Sequence, residues 1–188
     1  MKKILLFVST IIFSFIVVLS MSSCNKNEQS VNTTTEIRKE GKNVYFAGPM
    51  FNQAEKDFNL KITNVLEEYG YKVFLPQRDG IEGALLEGKT EQELINIIFP
   101  LDVKNVNDCD IIFMNLDGRV PDEGACVELG MAYSLGKRCY GFKTDTRVAE
   151  LSMDLNPMIS GCMIKIFKNF DGDKLIEEIK DYLSKNTL

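Results

Sequence analysis

The stretch at residues 43–77, NVYFAGPMFNQAEKDFNLKITNVLEEYGYKVFLPQ, decides the fold. Its opening apolar run, NVYFA at 43–47, is short, rich in strand formers and closed by Gly48-Pro49, so it reads as a strand. Over residues 54–69 the period changes: Phe58, Ile62, Val65 and Leu66 fall on one helical stripe, and Gly70 is placed to end that helix. A second short apolar run, YKVFL at 71–75, follows at once. Strand, helix and strand in succession form a crossover unit, the building block of a parallel sheet.

The same alternation continues toward the C-terminus. DIIFMN at 110–115, RCYGF at 138–142 and CMIKIF at 162–167 read as three further strands. Thr90-Glu91-Gln92-Glu93 is a capping-box pattern that opens a second helix, expected to be interrupted near Pro100 and to resume to about Asn107. Residues 122–135 read as a third helix closed by Gly136, and 173–183 as the last. Five strands alternating with helices predict an α/β fold, a flavodoxin-like doubly wound five-stranded parallel sheet covered on both faces. No internal repeat or second linker interrupts residues 43–188, which are expected to form one domain.

Composition narrows the chemistry. Of 188 residues, 45% are hydrophobic and 26% charged, ordinary for a globular domain. A net charge of −5 offers no basic stripe for phosphate contacts, so a nucleic-acid polymer is a poor partner and a small molecule a better one. The chain has no His and no Trp. Catalytic triads built on His and the usual His-containing zinc sites are therefore excluded. Acid, base or nucleophile must come from Asp, Glu, Tyr, Lys or Cys.

In open sheets of this kind ligands sit beyond the carboxyl ends of the strands, near the point where strand order reverses. The residues there are polar and Gly-rich: Gly48-Pro49 after the first strand, Pro76-Gln77-Arg78-Asp79-Gly80 after the second, and Asp117, Gly118, Arg119 and Asp122 after the third. Turn chemistry alone also favours such residues. Glu128, however, lies in the second turn of a helix among Gly124, Ala125, Val127, Leu129 and Gly130, a setting that desolvates a carboxylate.

The blocks VYFAGPMF (44–51), FLPQRDG (74–80), LDGRVPDEGACVELGMAYSLGK (116–137) and LNPMISG (155–161) together resemble the nucleoside 2-deoxyribosyltransferase family, in order and spacing, over residues 43–167. The resemblance implies a flavodoxin-like enzyme that moves a 2-deoxyribosyl group between nucleobases without a cofactor. It makes Glu128 the nucleophile, whose carboxylate attacks the sugar C1′, and Tyr45 the hydroxyl that orients it. A buried aromatic in a central strand is the plainer role for Tyr45. Asp102 takes the position of the proton donor to the leaving base, against the plainer reading of a charge on a helix. Asp122 would bind sugar or base edge, and it also suits a helix N-cap. Gln77 resembles the base-reading amide, since it offers donor and acceptor together. Gly48 and Phe51 would let the backbone approach the sugar and wall the base. Asn156, in LNPM, matches an Asn that completes a neighbouring subunit's pocket, which implies a homodimer or a higher homo-oligomer. The implied partners are 2′-deoxynucleosides and free nucleobases. Arg78 and Arg119 would also suit a 5′-phosphate, so hydrolysis of 2′-deoxynucleoside 5′-monophosphates is an alternative. A non-catalytic nucleoside-binding lipoprotein is another.

At the other end, Lys2 and Lys3 precede an apolar run from Ile4 to Leu19 and then Ser20-Met21-Ser22-Ser23-Cys24. This is an export signal that resembles a bacterial lipoprotein signal, with Cys24 as the lipidated new N-terminus. A plain secretory peptide or an uncleaved anchor are the competing readings. Residues 1–23 form the signal, and their removal takes Lys2 and Lys3 and leaves a charge of −7. Residues 24–42 are polar and short of large apolar groups, which suits a flexible tether. The resulting expectation is an exported protein held to a membrane through Cys24. The remaining cysteines, Cys109, Cys126, Cys139 and Cys162, contain no CxxC and read as buried thiols by default. Cys126 lies near a helix N-terminus, a setting that lowers a thiol pKa, yet it points away from Glu128 and is assigned no chemistry.

Overall fold

A computed structural model of the chain describes residues 42–147 and 153–188. The signal peptide expected over 1–23, Cys24, and the tether up to residue 41 lie outside the described residues. No helix among the described residues is long and apolar enough to cross a membrane.

The sheet has five strands, β1 (Asn43–Ala47), β2 (Lys72–Phe74), β3 (Ile111–Asn115), β4 (Arg138–Lys143) and β5 (Lys165–Lys168). All neighbours pair in parallel, in the order β2-β1-β3-β4-β5, which is the flavodoxin-like order the alternation predicts. The strands are joined by α1 (Gln53–Glu68), α2 (Pro76–Asp79), α3 (Gly83–Leu86), α4 (Glu91–Asp108), α5 (Glu123–Ser134) and α6 (Pro157–Cys162), and α7 (Gly172–Lys185) follows β5. Strand order reverses between β1 and β3, whose carboxyl ends are Ala47 and Asn115.

Alternation along each strand divides the core. Val44, Phe46, Phe113, Phe142 and Phe167 pack on the face covered by α1 and α7, with Ile62, Leu66, Leu175 and Ile179 from those helices. Tyr45, Ala47, Ile112, Met114 and Cys139 lie on the other face with Val106 of α4 and Ala125, Leu129 and Ala132 of α5. Both faces of the central strands are buried, which explains why they read as continuous apolar runs.

Helix ends follow their caps. Asn52 and Thr90 each form a full capping box, with Glu55 and Glu93 respectively. Two expectations are corrected. Helix α4 runs through Pro100 without a break, although the proline ring removes one helical donor, because the turns on either side are continuous and capped. The last strand begins at Lys165 rather than Cys162, and Cys162 instead ends α6. Asn156 belongs to a helix start: its side chain accepts from the Met158 backbone N–H at 2.9 Å and Pro157 occupies the first helical position, where a missing N–H costs nothing. The short helices α2 and α3 were not expected, being too brief to show a period.

Candidate active site

Tyr45 sits in the middle of β1, wholly buried, with its ring stacked on Phe74 of β2 at 5.7 Å. Its side chain leaves the sheet on the α4/α5 face. There its O–H donates to Glu128 Oε1 at 2.6 Å, across 83 residues of sequence. Glu128 comes from α5, in which Ala125, Leu129 and Ala132 are buried. Asp102, on α4, lies close enough to the same hydroxyl to interact with it.

Burial governs the electrostatics. Desolvation pushes Glu128 from its ordinary value near 4.5 up to about 7, with Asp102 and Asp122 adding to the rise and the Tyr45 hydrogen bond opposing it. Asp102 is raised by desolvation against the same opposing bond. The Tyr45 phenol is raised far beyond its usual range by burial first, then by Glu128 and Asp102, so it stays a proton donor. A hydroxyl has one hydrogen and two lone pairs. Tyr45 gives its hydrogen to Glu128, and Asp102 is the second carboxyl near that oxygen.

Asp102 and Glu128 also line a groove of about 430 Å³ between α4 and α5, walled by Leu94, Ile98, Phe99 and Val127. Its volume lies in the range of small-molecule sites. Two desolvated carboxyls lining one apolar groove have the parts for attack at an acetal carbon with protonation of the leaving group.

The other residues singled out from sequence lie around this centre in different ways. Asp122 caps α5, its Oδ2 accepting from the Ala125 N–H at 2.8 Å, and is near enough to influence Glu128. Gly48 lies against Asn115 so closely that an added Cβ would come within 2.7 Å of the Asn115 Cβ. Phe51 is 78% exposed in the loop after β1. Gln77 lies in α2 on the α1 side, where its Nε2 donates to the Lys56 carbonyl at 2.7 Å and its Oε1 accepts from Asn59 Nδ2 at 3.3 Å. Asn156 is exposed, at the start of α6. Neither Gln77 nor Asn156 lines the groove between α4 and α5.

Arg78 is engaged by its own chain. Its guanidinium pairs with Glu67 at 2.8 Å and Asp79 at 2.8 Å and also donates to the Val73 carbonyl. Burial and the carboxylates Asp122 and Glu123 hold the Cys126 thiol above its ordinary pKa, so the helix N-terminus does not activate it. Cys109, Cys126, Cys139 and Cys162 are free thiols. Among the described residues no group of three or more His, Cys, Asp or Glu is placed to hold a metal ion.

Sequence reasoning missed the buried amides Asn59 and Asn115, each 2% exposed. The signal was available: Asn59 interrupts an apolar helix stripe and Asn115 ends an apolar strand. It also missed the groove, which is lined by apolar residues of α4 such as Ile95, Ile98 and Phe99 that stay exposed.

Comparison with known proteins adds the relationship. The chain superposes on a 2-deoxyribosyltransferase from Bacillus psychrosaccharolyticus with a TM-score of 0.60 and 25% identity, covering 74% of this chain and 91% of that one. A conserved protein from Enterococcus faecalis V583 gives 0.59 and 24% identity, over 75% of this chain and 98% of that one. A 2-desoxiribosyltransferase from Leishmania mexicana shares the fold at a TM-score of 0.52 and 20% identity, over 75% and 98%. No curated protein matches the sequence. The family model described as nucleoside 2-deoxyribosyltransferase matches residues 44–172, which spans every strand and the carboxyl pair, and on that match the chain belongs to the nucleoside 2-deoxyribosyltransferase family.

Proposed function

We propose that this protein transfers a 2-deoxyribosyl group between nucleobases through an ester on Glu128. The Tyr45 hydroxyl held between Glu128 and Asp102 is the observation that carries the reading. Glu128 attacks C1′ from the face opposite the base, the C1′–N bond breaks, and its electron pair takes the proton of Asp102 as the base departs. A second base then attacks C1′ on the opposite face, displaces Glu128 and returns a proton to Asp102. Water in place of that base releases 2-deoxyribose, so hydrolysis is the side reaction. Tyr45 keeps Glu128 aimed and stabilises it when it leaves. The free oxygen of Asp122, Gln77 and the loop from Gly48 to Phe51 bind the nucleoside.

The 5′-monophosphate hydrolase alternative loses support from Arg78, whose donors are engaged by Glu67, Asp79 and Val73, and rests on Arg119 alone. We further infer a homodimer or higher homo-oligomer, in which Asn156 reaches a neighbour's site, and export of the chain with a lipid anchor at Cys24. Exposed Met158, two residues beyond Asn156, supports a covered surface there. Localisation rests on the sequence of residues 1–24.

Product analysis tests the reading. Deoxyinosine with adenine should yield deoxyadenosine, and deoxyinosine alone should release hypoxanthine slowly. Faster release from the 5′-monophosphate with no use of an acceptor would shift the assignment to the hydrolase. Tight nucleoside binding with neither product would make the protein a binder.

A further inference from the structure

Five polar contacts form a one-way chain of amides beneath the carboxyl ends of β1, β2 and β3. The Asp117 backbone N–H donates to Asn115 Oδ1 at 2.9 Å, and Asn115 Nδ2 donates to Asn59 Oδ1 at 2.8 Å. Asn59 Nδ2 then donates to the Pro49 carbonyl at 2.8 Å and to Gln77 Oε1 at 3.3 Å, and Gln77 Nε2 donates to the Lys56 carbonyl at 2.7 Å. Backbone groups cannot exchange donor for acceptor, whereas a side-chain amide can flip. One fixed donor (Asp117) and two fixed acceptors (Pro49 and Lys56) therefore set the direction of all three side chains. Turning Gln77 over would set its oxygen against the Lys56 carbonyl and its amino group against that of Asn59. At Asn59 and Asn115, both buried, a group left unmatched costs about 1–3 kcal/mol.

We propose that Asn59 and Asn115 are positioning residues that hold Gln77 in one orientation and thereby set which bases the enzyme prefers. This rests on the reading of Gln77 as the base-facing amide. With one Nε2 hydrogen given to Lys56 and one Oε1 lone pair taken by Asn59, Gln77 retains one donor and one acceptor in a fixed order. A mobile amide would match either order on a base edge. A held one favours either bases that pair an amino group with a bare ring nitrogen, as adenine does, or bases that pair a carbonyl with a ring N–H, as hypoxanthine does.

The test compares kcat/KM for deoxyadenosine and deoxyinosine in the full-length protein. Wild type should separate them by about tenfold or more, the factor expected from one mismatched buried group. Asn59→Asp, which keeps the shape and loses both donors, should bring the ratio close to that of Gln77→Ala, with the favoured substrate losing most. Asn59→Leu and Asn115→Leu should do the same. A ratio that stays at the wild-type value in all three variants, with both substrates slowed alike, would show a merely structural role and overturn the proposal. A second readout needs no turnover: the side-chain NH₂ signals of Gln77 in ¹⁵N-labelled protein should be rigid and slow to exchange in wild type and mobile in Asn59→Leu. A mobile Gln77 in wild type overturns the proposal too. Absence of turnover on both nucleosides with a rigid Gln77 overturns the transferase reading instead, and Gln77→Ala leaving the ratio untouched overturns the base-reading role.

Discussion

Tyr45 and Phe46 are neighbours on one strand and belong to two different worlds. Phe46 faces α1 and α7, where rings of Phe113, Phe142 and Phe167 follow one another at about 6 Å in a sealed aromatic layer. Tyr45 faces α4 and α5, where the helices leave a groove and two raised carboxyls share its hydroxyl. A strand turns alternate side chains to opposite faces, so one sheet keeps a packing face and a working face without either compromising the other. The price is visible on the working side, where Ile95, Ile98, Phe99 and Val127 remain exposed.

The largest expected effect tests whether chemistry is confined to the α4/α5 face. Glu128→Ala should lower turnover by on the order of 10⁴-fold while circular dichroism stays unchanged, as befits loss of a nucleophile. Activity of a few per cent or more would move the nucleophile elsewhere. In the proposed oligomer, mixing this variant with inactive Asn156→Ala should restore activity in hybrids, where one site has both groups intact. No recovery despite demonstrated subunit exchange would remove Asn156 from a neighbour's site.

On the packing face the readout changes to stability. Phe46→Ala should cost about 3–5 kcal/mol in denaturant unfolding, the usual cost of removing a buried ring. Tyr45→Phe keeps the ring and removes only the hydroxyl, so it should reduce turnover far more than stability. Equal stability losses in the two variants would erase the distinction between faces.

Glu128 couples the two properties through pH. Its pKa is raised on folding, from near 4.5 to about 7, so the stability tied to its protonated form is fully present below 4.5 and is lost as pH rises through 7. The nucleophile must be ionised and Asp102 must hold its proton, so kcat/KM should follow a bell-shaped pH profile, rising as Glu128 ionises and falling as Asp102 loses its proton. Glu128→Gln should match wild-type stability at pH 4 and exceed it at pH 8 by about 2–3 kcal/mol. A variant less stable than wild type at pH 8 would mean that the ionised carboxylate contributes to the fold.

The smallest effect lies on α1. The Thr63 hydroxyl is buried on the packing side of the molecule with no hydrogen-bond partner. Thr63→Val keeps the shape and removes the unmet group, so it should raise stability by about 1 kcal/mol. Destabilisation would place an unseen partner, such as a water, at that hydroxyl.

Much of the fold was legible because its signals are local. The apolar runs at 43–47 and 110–115, the stripe of Phe58, Ile62, Val65 and Leu66, and the capping box at Thr90 each act within a few residues, and together they specify the order of strands and helices. Helices α2, α3 and α6 are too short for a period, and the continuity of α4 through Pro100 depends on cooperation among turns that a single residue does not report.

The candidate site was legible through the family resemblance, not through local pattern alone. The resemblance singled out Tyr45, Asp102 and Glu128, and local pattern shows that Glu128 sits among small residues. By itself the sequence determined which face of each element is apolar, where the turns fall and which chemistry the absence of His excludes. Tertiary structure alone decided that Tyr45 meets Glu128 across 83 residues, that Arg78 is engaged by Glu67 and Asp79, and that Asn115, Asn59 and Gln77 point their amides one way. The reason is physical: helix and strand signals are set by neighbours along the chain, whereas hydrogen-bond direction and desolvation are set by groups that only folding brings together.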